Sequence, residues 1–148
     1  MFTRILVAYD GSEESKSALE AGIDLATKLY AELFSITAEN GIVVPVTVPG
    51  FGPTESEEPT LAGVKIESGL LRVASEAEEI ARQQGFPLHA STASGESEVD
   101  SILEAVAANN CDLLILGPRQ HSWIKERMLP HTATEVGATA PCSVLIVR

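Results

Sequence analysis

Leu113-Leu114-Ile115-Leu116 is an unbroken apolar run, too short for a helix of its own and ended by Gly117-Pro118. Such a run reads as a strand buried on both faces of a parallel sheet. A strand of that kind needs helices above and below it, which leaves few architectures open to the chain. Ligand sites of open α/β folds lie just past the carboxyl ends of their strands. At that place the chain carries Arg119, His121, Lys125 and Arg127, with Glu126 the only acid among them. Against a formal charge of −11 this is a local basic island. It reads either as a solvated loop or as an anion site.

The rest of the chain repeats the strand-then-helix pattern. Ile5-Leu6-Val7-Ala8-Tyr9 is a first strand, ended by the turn residues Asp10-Gly11-Ser12, with Ser12 as helix N-cap. Ala18, Leu19, Gly22, Ile23, Ala26, Leu29 and Tyr30 recur at helical spacing and predict one buried stripe. A second strand is expected over 31–38. The segment 41–60 holds Pro45, Pro49, Pro53 and Pro59, so a long loop is expected there, functional or mobile. A long helix over 64–84 stops at Gly85. A weak strand over 87–93 has the proline and small residues of a sheet edge. Val99, Ile102, Leu103 and Val106 mark a third helix, and a short fourth is expected from about 131 to 138. Ser143-Val144-Leu145-Ile146-Val147 is the last strand. The alternation predicts one doubly wound α/β domain, 1–148, with a mostly parallel sheet and helices on both faces.

Composition excludes several functions. The acidic balance, with a pI near 4.6, argues against general nucleic-acid binding. No apolar stretch has the length of a membrane span, and a soluble cytoplasmic protein is expected. Cys111 and Cys142 each stand just before an apolar strand run, and no C-x-x-C pair is present. Buried free thiols are therefore expected, with neither a disulfide framework nor a zinc site. His89, His121 and His131 lie in no catalytic motif. His121 and His131 lack the further ligands that a metal requires, so no metal is expected.

Residues 5–13, Ala31-Glu32-Leu33, residues 111–117 and the closing Ala140-Pro141-Cys142-Ser143-Val144-Leu145-Ile146-Val147 resemble the universal stress protein (UspA) family. The resemblance covers essentially the whole chain. It implies an adenine-nucleotide alpha-hydrolase-like fold, a five-stranded parallel sheet of order 3-2-1-4-5 with four helices, a homodimer and a role in stress responses. Many members bind ATP through a pattern G-x2-G-x9-G-[ST] after strand four, in which glycines let backbone amides approach the phosphates. Aligned here, the four positions are Gly117, Gln120, Pro130 and His131. Gln120 puts a side chain where backbone should meet phosphate. Pro130 removes an N–H whose bond to a charged group contributes roughly 1.5–3 kcal/mol. His131, when protonated, and the displaced hydroxyl of Thr132 are partial substitutes.

By the same resemblance Asp10 meets the nucleoside, Ala8 and Ala38 line the adenine slot, and Leu116 and Gly117 end strand four beside it. Asp10 reads equally as a turn residue bonding its own backbone, and Trp123 as either a base-stacking group or a loop anchor. Three functions are weighed: a non-catalytic module with a degenerate nucleotide or anion site for ATP or another adenine nucleotide; a protein-interaction or dimerisation module; and, third, a weak ATP binder or slow ATPase. An unknown protein partner is compatible with the second. The apolar edge Val144, Leu145, Ile146 and Val147 is the expected dimer contact, since an uncovered edge of this composition invites pairing.

Overall fold

A computed structural model describes residues 1–40, 61–117 and 132–148. In chain order the elements are β1 (Arg4–Ala8), α1 (Glu13–Leu29), β2 (Glu32–Asn40), α2 (Leu61–Gln83), β3 (His89–Gly95), α3 (Glu98–Ala108), β4 (Leu113–Leu116), α4 (Thr132–Thr139) and β5 (Ser143–Ile146). The strands form one five-stranded sheet of order β3-β2-β1-β4-β5, every neighbouring pair parallel. β1 lies at the centre, with Ile5 opposite both Leu33 and Leu113.

Both faces of the sheet are covered, which is why the strand runs show no polar alternation. On one face Ile5, Val7, Tyr9, Leu33 and Ile115 pack with Leu19 and Ile23 of α1 and Ala77 and Ala81 of α2. On the other, Leu6, Ala8, Phe34, Ile36, Leu114 and Leu116 pack with Ile102 and Val106 of α3 and Val136 of α4. Gly22 marks a close approach of α1 to the sheet: a Cβ there would stand 2.8 Å from Val7 Cγ2.

The helices start and stop by the chemistry their sequences carry. Ser12 Oγ accepts the Ser15 N–H at 3.1 Å and caps α1, with Glu13 and Glu14 in its first turn. Ser97 Oγ accepts the Asp100 N–H and caps α3. Gly85, at φ 71°, ends α2 in the left-handed region.

Several bounds differ from expectation. Tyr30 is not part of the buried stripe; it is 96% exposed. It lies in the left-handed conformation after the last turn of α1, where helical phase no longer directs a side chain. β2 continues two residues beyond Ala38, because Glu39 and Asn40 still pair with Ser94 and Gly95. β3 begins at His89 rather than residue 87, since Pro87 has no N–H to give a ladder. α2 begins at Leu61, three residues before the expected start. The long loop expected over 41–60 lies outside the described residues. Among those described, no helix is long and apolar enough to cross a membrane.

The amino ends of the central strands are closed by a polar network. Asp112 accepts from the Thr3 N–H (2.9 Å), the Thr3 hydroxyl (3.1 Å) and the Arg4 N–H (3.1 Å). Arg4 lies over the Phe34 ring, donates to the Asn109 carbonyl and pairs with Glu32 at 2.6 Å.

Candidate functional site

The carboxyl ends of β1, β2 and β4 carry the candidate residues. Tyr9, just past β1, donates its N–H to the Ile36 carbonyl at 2.9 Å. Its ring is buried, and its hydroxyl donates to Glu76 Oε1 at 2.7 Å. Burial first, and then this hydrogen bond, push the phenol pKa far above its ordinary value, so Tyr9 is a neutral clamp between β1 and α2. Lys16 Nζ stands 3.4 Å from the same carboxylate and ties α1 into the clamp.

Asp10 builds the turn that follows. Its Oδ1 accepts the Ser12 N–H at 2.9 Å, and its own N–H donates to Ser15 Oγ at 3.3 Å. Gly11 between them has φ 85°, a conformation side chains rarely adopt. Ala8 is buried and Ala38 half-buried, both in the cluster on the α3 and α4 side. Two small side chains therefore lie on one face, near the ends of adjacent strands.

Leu116 is buried and ends β4. At Gly117 a Cβ would lie 3.0 Å from the backbone carbon and oxygen of Glu14. The first turn of α1 therefore crowds a side chain there, a reason for this glycine that involves no phosphate. Thr132 opens α4. The side chain of Thr132, together with Arg119, Gln120 and His131, lies outside the described residues. The same holds for the rest of the basic island, His121, Lys125, Glu126 and Arg127, and for Trp123 and Pro130.

The structure adds a residue that the sequence did not single out. Glu98 sits half-buried in the first turn of α3. Burial, then the charges of Asp10 and Glu39, push its carboxyl up to about 7. In the sequence Glu98 is only an acid after a helix cap. Its proximity to Asp10 is created by the β-α-β path, and no local signal carries it. A carboxyl group with two others in electrostatic reach of it accepts hydrogen bonds from hydroxyl and amino groups and repels phosphate. Among the described residues, no group of three or more His, Cys, Asp or Glu is arranged to hold a metal ion.

β5 lies at the sheet edge beside β4, as expected. Leu145 and Ile146 are 38% and 39% exposed. Val144 packs inward on one face of the sheet and Val147 on the other.

Comparison with known proteins places the whole chain. The sequence model of the universal stress protein family matches residues 1–148. Universal stress protein YxiE of Bacillus subtilis is 32% identical over 151 residues, covering 100% of both chains. A universal stress protein solved in complex with cAMP superposes with a TM-score of 0.69 at 24% identity, covering 99% of this chain and 97% of that one. One from Archaeoglobus fulgidus in complex with dAMP gives 0.65 at 18% identity, covering 99% and 98%. The fold is that of the adenine-nucleotide alpha-hydrolase-like proteins.

Proposed function

The chain belongs to the universal stress protein family, and from that premise we propose that it is a non-catalytic stress-response module with a degenerate nucleotide site. The site takes the adenosine end of an adenine nucleotide at the carboxyl ends of β1, β2 and β4, and holds phosphates weakly. The observation that carries this reading is that Glu98, in the first turn of α3, feels the charges of Asp10, just past β1, and Glu39, near the end of β2. Carboxylates there suit the hydroxyl and amino groups of a nucleoside and oppose a polyphosphate. The chain's own motif positions support the same division. Gln120, Pro130 and His131 stand where the ATP pattern needs two glycines and a hydroxyl. Gly117, the one match, is also favoured by the close approach of Glu14. Neighbouring structures holding cAMP and dAMP are consistent with a monophosphate-sized ligand.

Isothermal titration with adenosine, AMP, cAMP, ADP and ATP tests the reading. Adenosine and the monophosphates are expected to bind within a few-fold of one another, with ATP no tighter. ATP binding tenfold tighter than AMP, or no heat from any of the five, would overturn it. Hydrolysis is disfavoured further, because it demands tighter phosphate geometry than binding does.

A second reading concerns assembly. The exposed Leu145 and Ile146 on an edge strand favour a homodimer in which β5 meets the same strand of a second copy. Sedimentation of Ile146→Lys tests it. A folded variant is expected to become monomeric, and unchanged dimer affinity would rule this edge out.

A further inference from the structure

Cys111 and Cys142 take no part in the site described above. They stand at the starts of neighbouring parallel strands, two residues before β4 and one before β5. The register pairs Leu113 with Ser143, so Cys142 falls one step out of line with Cys111. Adjacent strands lie about 4.8 Å apart with a rise of about 3.3 Å per residue. Extended past the ladder ends, that lattice puts their Cα atoms about 6 Å apart, within the span a disulfide bridges; within a ladder such a pair would point to opposite faces, but both cysteines precede it and both turn to the α3 and α4 face. Both cysteines belong to the same apolar cluster on the α3 and α4 face. Both also line one groove of about 570 Å³, with Asp112, Ala140, Pro141 and Ser143.

We propose that Cys111 and Cys142 are a reversible modification site, joined as a disulfide by reaction with a hydroperoxide. The two thiols differ in access: Cys111 is buried, Cys142 only partly so. Cys142 therefore reacts first. Its Sγ attacks one oxygen of hydrogen peroxide, the O–O bond breaks, and the departing hydroxide takes the thiol proton and leaves as water. Cys142 is then a sulfenic acid. Cys111 Sγ attacks that sulfur, the S–O bond breaks as the S–S bond forms, and hydroxide leaves with the Cys111 proton as a second water. Two thiols lose two electrons and two protons, and the peroxide is reduced to two waters.

Burial raises both thiols above their ordinary pKa, Cys111 to about 11. Since the thiolate is the nucleophile, oxidation is slow at neutral pH and quickens as pH rises. The crosslink ties the start of the edge strand to the start of β4. It closes the loop 111–142, which contains Gly117 and α4, and such closure stabilises the folded chain.

The test treats the reduced full chain with excess hydrogen peroxide at mildly alkaline pH, then blocks free thiols and maps peptides without reduction. The expected result is joint loss of both thiols, one Cys111–Cys142 peptide within a single chain, a higher midpoint of thermal unfolding, and full reversal by dithiothreitol. Cys111→Ser is expected to stop at a sulfenic acid on Cys142 that dimedone traps. Cys142→Ser is expected to leave Cys111 unreacted at the same dose. If serine in the apolar cluster unfolds the chain, Cys111→Ala gives the same readout. The proposal is overturned by independent oxidation of each thiol without a crosslink, by a bond between two chains, or by a crosslink that forms only in urea.

Discussion

The two ends of the same sheet treat their carboxylates in opposite ways. At the amino end, burial works against the Asp112 charge, but the Thr3 and Arg4 donors outweigh it and hold the carboxyl below its usual range. At the carboxyl end, burial raises Glu98, and among the described residues the charges of Asp10 and Glu39 add to it. One end is satisfied by its own backbone. The other keeps an electrostatic cost, and a ligand that supplies donors would relieve it.

The largest expected effect comes from crowding the carboxyl end. Gly117→Ala drives a methyl group against the Glu14 backbone and should destabilise the chain by about 1–3 kcal/mol in urea unfolding. An unchanged midpoint would show that α1 gives way easily there. At the amino end, Asp112→Ala removes three hydrogen bonds and should cost about 1–2 kcal/mol after allowance for solvent. Because the Asp112 pKa is lowered in the fold, its stabilisation is present above the unfolded carboxylate pKa. It is lost as pH falls through the folded value, so variant and parent should converge in acid.

Glu98→Gln has the opposite sign. A carboxyl raised to about 7 in the fold makes the parent lose stability as pH climbs from the ordinary carboxylate range through 7. The variant should therefore be more stable by about 1 kcal/mol above pH 7 and equal to the parent in acid. Chemical denaturation at pH 4.5 and pH 8 checks the crossing, and a variant less stable at pH 8 would break the comparison. The smallest change in stability belongs to Asp10→Asn, which keeps an oxygen for the Ser12 N–H. It should stay within about 0.5 kcal/mol of the parent. It should nonetheless lower the Glu98 pKa, read by NMR titration, because the Asp10 charge that raises it is gone.

Much of this architecture is legible in the residues. Apolar runs without alternation gave the buried strands, and Ser12 and Gly85 marked a helix start and a helix stop. The order of the strands came from family resemblance, and the ladders agree with it. The misses have local causes. Tyr30 continued a periodic pattern one residue past the helix that justified it. Glu98 could not be paired with Asp10 because their proximity depends on two intervening crossovers. Gly117 shows the converse problem: its motif position suggested phosphate, whereas its close contact is Glu14. Gln120 and His131, the positions that bear most on the phosphate end, lie outside the described residues.

The central place of β1 has a consequence for biosynthesis. Its Ile5-Leu6-Val7 segment emerges early and meets β2 soon afterwards, but its other edge waits for β4 at Leu113–Leu116. At roughly 5–20 residues per second that wait lasts on the order of 5–20 s. Throughout it, the nascent chain presents an unpaired, aliphatic strand edge in the middle of the future sheet. A ribosome-bound chain arrested before residue 112 should therefore recruit general chaperones more strongly than one that has exposed all of β4 and β5, and crosslinking along a series of arrested lengths would show where that recruitment ends.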